Sequence, residues 1–346
     1  MRIVAENMKK RIGKKGIILT HDDADGLMAA VILQKLGVEG SRWGVVASAN
    51  PTAQETDRML ELAKTEWEIT QDDVVYVVDR EMLTSEMQES LEKNKIVYID
   101  HHMSNKNQSF GSNVRFIWDS LESAATLSLR YFEKYPEERG NIPEGEFKGI
   151  ARIAEYVKLW DTFQWTDLDV SKEEERVLYE GAFGVSSIEK IFGKRYFYRI
   201  MIEDTVDSIE KKSKMAYEIF SQEYEEYKED GSFYIHEFEY EGYKMRIYCG
   251  FDFKFQSLYS YELFKTTDLT VVMYANFDGT VSIRNRQGTD STYLASELGR
   301  LNGFSGGGHK TATGCKIMSA NKVKSFIVNR IIETIGKIPE LNLEEK

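Results

Sequence analysis

The run Val97-Tyr98-Ile99-Asp100-His101-His102 constrains this chain more than any other stretch. Its β-branched and aromatic residues fit a buried strand, and an acid with two imidazoles then falls where the strand passes into its loop. In open α/β sheets ligands gather at the carboxyl ends of strands, so the position suggests a site as much as the residue types do. A lone histidine in such a place reads as a loop cap. Here the pattern of an apolar strand ending in metal-type ligands occurs twice more.

The first repetition is Gly16-Ile17-Ile18-Leu19-Thr20, a buried strand that ends in His21-Asp22-Asp23-Ala24-Asp25-Gly26. Residues 27–36 have helical composition, with a stop at Gly37. In an extended turn, His21, Asp23 and Asp25 alternate onto one side. Three hard or borderline donors so placed suit a divalent cation. The second repetition is residues 73–78, a strand ending in Asp79. Strands at 42–47 and before Asp100, with helices over 52–64 and 83–93 between them, indicate right-handed crossovers and a parallel sheet. Three strand ends are thus expected to bring His21, Asp23, Asp25, Asp79, His101 and His102 to one edge.

Downstream, Ser120 to Thr126 opens a helix with small residues, and an amphipathic helix over 147–160 ends at Asp161. Residues 167–192 give no clear pattern, and a long charged helix is expected over 198–230. The pattern then changes to strands over 233–240, 243–250, 269–275 and 280–283, with a hairpin turn at Asn276-Phe277-Asp278-Gly279. After Arg284-Asn285-Arg286 and a helix over 292–301 comes Ser305-Gly306-Gly307-Gly308-His309-Lys310. Glycines let backbone N–H groups approach an anion closely, and His309 adds a donor. A strand over 312–318 and a helix over 322–335 close the chain, with a disordered tail expected from residue 341. The fold class is α/β: a parallel-sheet N-terminal domain and a smaller mixed-sheet α/β C-terminal domain. The expected boundaries are 1–195, a helical connector 196–230, a second domain 231–338 and a tail 339–346.

Composition narrows the function classes. The net charge of −12 argues against a long electrostatic footprint on duplex nucleic acid, though not against a small phosphate substrate held by a few cations. No apolar run of about 18 residues occurs, so no membrane span is expected. The basic N-terminal segment, residues 1–15, is followed by no apolar stretch and does not read as a secretory signal. Cys249 and Cys315 stand far apart, which fits a reducing cytoplasm.

Taken together, the motifs resemble those of the DHH phosphoesterase superfamily with its DHH-associated C-terminal domain. The set is His21-x-Asp23-x-Asp25-Gly26, Asp79, Asp100-His101-His102, Asp161 and Gly306-Gly307-Gly308-His309, in family order over roughly residues 16–318. Ser123-Ala124-Ala125-Thr126 and Trp160 to Trp165 are most similar to the oligoribonuclease (nanoRNase) branch. The gap from His21 to Asp23 is shorter than in pyrophosphatase-type members, and Ser305 stands where many members have a fourth glycine.

The resemblance implies a cytoplasmic phosphodiesterase with two Mn2+ per active site, Mg2+ or Co2+ being alternatives. One ion would take His21, Asp23 and Asp79; the other Asp25, Asp79, His101 and Asp161, with Asp79 bridging. Asp100 would orient an imidazole and His102 would face substrate. Arg284 and His309, with Arg286 and Gly306 to Gly308, would hold phosphate or the terminal nucleotide. The chemistry stands independently, because two metals about 3.5–4 Å apart lower the pKa of a water between them and neutralise phosphoryl charge. The expected substrates are short single-stranded oligonucleotides or dinucleotides cut to mononucleotides, and a homodimer is compatible with this. Alternatives within the superfamily are a 3′-phosphoadenosine 5′-phosphate phosphatase, a cyclic-dinucleotide phosphodiesterase and a longer-strand exonuclease. A catalytically dead binding subunit would have lost ligands, and none of the set is missing.

Overall fold

A computed structural model describes residues 15–37, 42–106, 108–229, 233–250, 253–309, 312–341 and 343. Expectations for residues 1–14, Asp230, Lys310, and tail positions 342 and 344–346 lie outside the described residues. The chain forms two compact units, Met1–Ser221 and Gln222–Lys346.

The first unit alternates strands and helices: β1 (Lys15–His21), α1 (Ala24–Leu36), β2 (Arg42–Ser48), α2 (Ala53–Glu66), β3 (Val74–Val78), α3 (Ser85–Ser90), β4 (Lys95–Asp100) and β5 (Val114–Trp118). The helices α4 (Ala124–Lys134), α5 (Glu144–Asp161), α6 (Glu173–Phe192) and α7 (Lys194–Glu203) follow, and the boundary between the units falls within α8 (Val206–Glu229). The five strands are all parallel, in the order β2-β1-β3-β4-β5. Successive side chains point to opposite faces. Ile18, Tyr76, Val78, Val97 and Ile99 therefore join α1, α4, α5 and α7 in one core. Ile17, Leu19, Val75, Val77 and Tyr98 pack on the other side with Met59, Leu60 and Ala63 of α2. Burial on both faces explains why these strands read as continuous apolar runs. α1 is buried almost all round, which makes it the central helix of the larger core.

The second unit contains β6 (Tyr234–Tyr240), β7 (Tyr243–Gly250), α9 (Gln256–Thr266), β8 (Val271–Asn276), β9 (Thr280–Asn285), α10 (Thr292–Leu301), β10 (Gly306–His309), β11 (Ala312–Lys316) and α11 (Lys324–Ile335). Its sheet runs β10-β11-β9-β8-β7-β6 and is mixed: β7 and β8 are parallel, while the other pairs are antiparallel. Leu294, Leu298, Ile327 and Ile331 of α10 and α11 cover one face, and Tyr248, Val272 and Tyr274 line the other.

The structure departs from the sequence reading at several places. β5 and α9 were not anticipated, and the helix expected over 83–93 is only Ser85–Ser90. The long helix expected over 198–230 is two helices, separated at Asp204 and Thr205. The glycine run, for which no strand was anticipated, is strand β10, paired with β11 from Gly306 opposite Cys315 to His309 opposite Ala312. The tail was expected to be disordered from 341, yet Leu341 and Leu343 are fully buried in the second core. Leu341 N–H donates to Glu241 and Leu343 C=O accepts from Asp290 N–H, which fixes the segment in place. Among the described residues no helix is long and apolar enough to cross a membrane.

Candidate metal centre

The parallel sheet aligns the ends of β1, β3 and β4, which are neighbours in the order β1-β3-β4. At the end of β1, Asp23 caps α1 by accepting the Gly26 N–H at 3.0 Å through Oδ1. Its other oxygen meets His21 Nδ1 at 2.7 Å. The capping geometry is thus what turns Asp23 back towards His21.

Asp79 follows β3 with φ of 56° and still donates its N–H to Ile99 C=O at 2.9 Å. Asp is among the few non-glycine residues enriched at positive φ. This turn aims the buried carboxylate at three imidazoles: His101 Nε2 at 3.2 Å, His21 Nδ1 at 3.7 Å and His102 Nδ1 at 3.9 Å. The residue after it, Arg80, is fully buried and spans the strand ends. Its guanidinium donates to Thr20 C=O, Asn50 C=O and Thr56 Oγ1.

At the end of β4, Asp100 Oδ1 lies 2.8 Å from His102 Nδ1 while Oδ2 accepts from Asn105 at 2.7 Å. The His102 C=O accepts from Trp118 Nε1 on β5 at 3.0 Å. These contacts fix the ring of His102 at both ends of its residue. His101, almost fully buried, reaches Asp161 Oδ2 at 3.5 Å and Asp25 Oδ2 at 3.8 Å. Asp161 comes from the last residue of α5. Its Oδ2 is buried with no hydrogen-bond partner among the described residues. Asp25 is also buried, and both its oxygens accept backbone N–H groups at the start of α4, from Ala124 at 2.7 Å and Ala125 at 2.9 Å.

Three overlapping sets of donor atoms result, each within 4.8 Å of one another: His21, Asp23 and Asp79; Asp79, His101 and His102; Asp25, His101 and Asp161. Asp79 and His101 each belong to two sets. All seven residues expected at the metal edge from the first unit (His21, Asp23, Asp25, Asp79, His101, His102 and Asp161) are therefore brought together. His102, expected to face substrate, lies in a donor set of its own with Asp79 and His101.

The electrostatics follow from crowding four carboxylates and three imidazoles in a buried place. Burial would lower the pKa of His21, but the Asp23 and Asp79 carboxylates raise it to about 11. His101 and His102 are raised for the same reason, by Asp79 and Asp161 in one case and Asp100 in the other. Burial pushes Asp161 up to about 7. Asp25 is raised well above the carboxylate range by burial and by the charges of Asp161 and Asp79. Burial works against Asp79 as well, yet hydrogen bonds from His101 and His21 hold it well below that range. Such a cluster keeps its protons only for want of a better positive charge. Divalent cations that take oxygen and imidazole donors fit this set, and Asp161 Oδ2, which faces His101 without a hydrogen bond among the described residues, is a ready ligand atom.

The other expected residues belong to the second unit. Arg284 on β9 is half-buried, with Nε near Ser257 Oγ at 3.3 Å and one terminal nitrogen donating to Ile283 C=O. Burial draws its pKa down to about 10, and it makes no ion pair among the described residues. Arg286 is engaged with the main chain, donating to Leu269 C=O at 3.0 Å and Thr267 C=O at 2.6 Å. Gly306, Gly307 and Gly308 lie on β10, which is an edge strand. Sequence reasoning missed Arg80, Asn105 and the N–H pair of Ala124 and Ala125. Only the small residues opening α4 gave a local signal for any of them.

No protein-family model matches the chain, and no curated protein sequence matches it. Solved structures do share its fold. The DHH domain of a member of the s1p family of ribosomal proteins is 16% identical, with 96% of this chain and 88% of that one covered and a TM-score of 0.59. An exonuclease RecJ bound to manganese is 16% identical over 94% of this chain and 91% of that one, with a TM-score of 0.58. RecJ from Thermus thermophilus in complex with Mn2+ is 15% identical, with a TM-score of 0.57. The match covers 96% of this chain but 54% of that protein, so the chain spans about half its length.

Proposed function

We infer that this chain, which has the fold of the DHH-domain proteins, is a metal-dependent phosphoesterase that hydrolyses short oligonucleotides to mononucleotides. The observation that carries this reading is the donor cluster itself: three acid and imidazole sets linked through Asp79 and His101, gathered from the ends of three adjacent strands, the first turn of α1 and the end of α5. Two divalent cations, Mn2+ in the first instance, would supply there a water of lowered pKa and neutralise charge on a phosphoryl group.

The chain's own residues divide the remaining work. His21, Asp23 and Asp79 would hold one ion, and Asp25, Asp79, His101 and Asp161 the other. Asp100 fixes the ring of His102 through Nδ1, and His102 would face substrate. In the second unit, the half-buried Arg284, which has no carboxylate partner among the described residues, would take non-bridging phosphate oxygens, since a charge-assisted bond is the strong kind. Gly306 to Gly308 on the edge strand would add to this recognition, as would His309, whose side chain lies outside the described residues. Arg286 is already committed to two carbonyls and has a smaller part in it. The net charge of −12 supports short substrates, because phosphates away from these cations meet a negative surface.

The likeness to the exonuclease RecJ favours a longer-strand exonuclease as the second reading. One assay separates the two: initial rates on di- to decanucleotides, a 20-mer, 3′-phosphoadenosine 5′-phosphate and cyclic dinucleotides, with Mn2+, Mg2+ or Co2+ and after chelation. The expected optimum is two to five nucleotides, with kcat/KM about tenfold or more lower on the 20-mer, or roughly 1.4 kcal/mol in transition-state binding. Equal efficiency on the 20-mer selects the exonuclease, and no metal-dependent hydrolysis of any substrate refutes both.

A further inference from the structure

Between the two candidate ligands His21 and Asp23 stands a third polar residue, Asp22, which lies in none of the donor sets. The Asp22 side chain is 3% exposed, and a buried carboxylate is costly unless it is paired. Its one ion pair among the described residues is with Lys194, whose Nζ lies 2.5 Å from Asp22 Oδ1. Lys194 is the first residue of α7. A cation there opposes the helix dipole, and the first turn of α7 holds no acidic residue to offset it. Lys194 also feels the charge of the Glu189 carboxyl on α6, but Asp22 is the partner it meets in an ion pair. α7 is itself a firm support: Phe197, Tyr198, Ile200 and Met201 are buried in the main core, and Tyr198 is hydrogen-bonded to Gln34 of α1.

We propose that Lys194 is a positioning residue for the metal centre, acting through Asp22. This rests on the metal-centre reading above. The pair clamps the backbone between His21 and Asp23 to α7, so that both donors are held before any ion arrives. Without the ammonium group, the Asp22 carboxylate is left buried beside an already acidic cluster. It must then turn outward, and the backbone carrying His21 and Asp23 turns with it. Residues that orient metal ligands without touching the ion typically affect affinity 10–100-fold.

The test uses the full chain and Mn2+ alone, with free ion followed by electron paramagnetic resonance and Tm by circular dichroism. Lys194→Met is expected to weaken Mn2+ binding by about 10–100-fold, and Lys194→Arg to recover most of that loss. Asp22→Asn, which is nearly isosteric, should weaken binding likewise and carries the test if Lys194→Met does not fold. The double variant should bind no more weakly than the weaker single one, because both changes break one contact. Unaltered Mn2+ affinity in Lys194→Met or Asp22→Asn, with or without a drop in Tm, overturns the proposal, and so do losses that multiply in the double variant. Failure of the wild-type chain to bind Mn2+ would overturn the metal-centre reading and this proposal with it.

Discussion

The glycine run on β10 offers a test in which packing and anion recognition predict different patterns. A Cβ added at Gly306 would lie 2.0 Å from the Ala295 carbonyl oxygen and 2.8 Å from Cys315 Cβ. Carbon and oxygen come no nearer than about 3.3 Å even in favourable contacts. α10 and β10 would thus have to part by more than an ångström, and a backbone carbonyl cannot swing aside. Overpacking costs typically about 1–3 kcal/mol, and this case belongs at the upper end. Gly308 has φ of 138° and its Cβ would meet Ala312 C=O at 2.7 Å, so strain adds to crowding. At Gly307 an added Cβ meets nothing within 4 Å. Gly306→Ala and Gly308→Ala should each lower the Tm of the second unit by about 8–12 °C, and Gly307→Ala by less than about 2 °C. If the Gly307 backbone approaches a phosphate, Gly307→Ala should also raise KM about tenfold with Tm unchanged, a difference of roughly 1.4 kcal/mol. Scanning calorimetry of the full chain, alongside initial rates, reads both quantities. Equal Tm losses at all three positions, or none at Gly306, would refute the packing argument.

Three further outcomes follow from the geometry. Asp79→Asn keeps a side chain that tolerates positive φ but removes the charge facing three imidazoles. It should cut hydrolysis by more than about a hundredfold and weaken Mn2+ binding in titration calorimetry, beyond the effect typical of a residue one step removed from the ion; near-normal turnover would remove Asp79 from its role. Arg284→Ala should leave Mn2+ binding intact and lower kcat/KM on oligonucleotides by about 10–100-fold, the worth of a hydrogen bond to a charged group; lost metal binding would misplace it. The third concerns pH. Glu138 is partly buried, which raises its pKa, but Lys95 and Tyr131 hydrogen bonds and the Arg115 charge bring it below the usual range. A depressed folded-state pKa means the stabilisation is complete above about pH 4.5 and is lost as pH falls through the folded value. Glu138→Gln should therefore be about 1–2 kcal/mol less stable than wild type at pH 7, the difference closing below pH 4 in urea titrations; a constant difference at every pH would contradict this.

Strand ends were the most legible part of the chain because sequence-local alternation decides them. His21 and Asp23 meet as their alternation suggests, whereas Asp25 lies in the first turn of α1 rather than in an extended turn and joins His101 and Asp161; the strands before Asp79 and His101 are apolar because both sheet faces are covered. β5 escaped notice since it is an edge strand: four of its five residues are only partly buried and Arg115 interrupts the run. Residues 167–192, which gave no clear pattern, include α6, and Gly181 and Gly184 lie within that helix. In the fold they allow close packing, since a Cβ would meet the Tyr156 ring at 2.5 Å and Ser213 Oγ at 2.3 Å. The contacts from Asp25 to Ala124 and Ala125, and from Asp22 to Lys194, join positions about a hundred or more residues apart. No spacing rule reaches that far, so the donors were readable and their supports were not.

The order β1-β3-β4 has a consequence for how faithfully the donor cluster can be built. Asp79 meets His21 on one side and His101 on the other because its strand lies between theirs, whatever path the chain takes outside the sheet. Spacing between those strands is set by hydrogen-bond registry, from Gly16 opposite Val74 to Val78 opposite Ile99. Registry changes only in whole residues, about 3.3 Å at a time, and each step also turns a side chain to the opposite face. Metal sites tolerate misplacement of only about 0.5 Å. A half-right arrangement is therefore not available to this sheet: the donors are delivered together, in digital fashion, or the cage does not form.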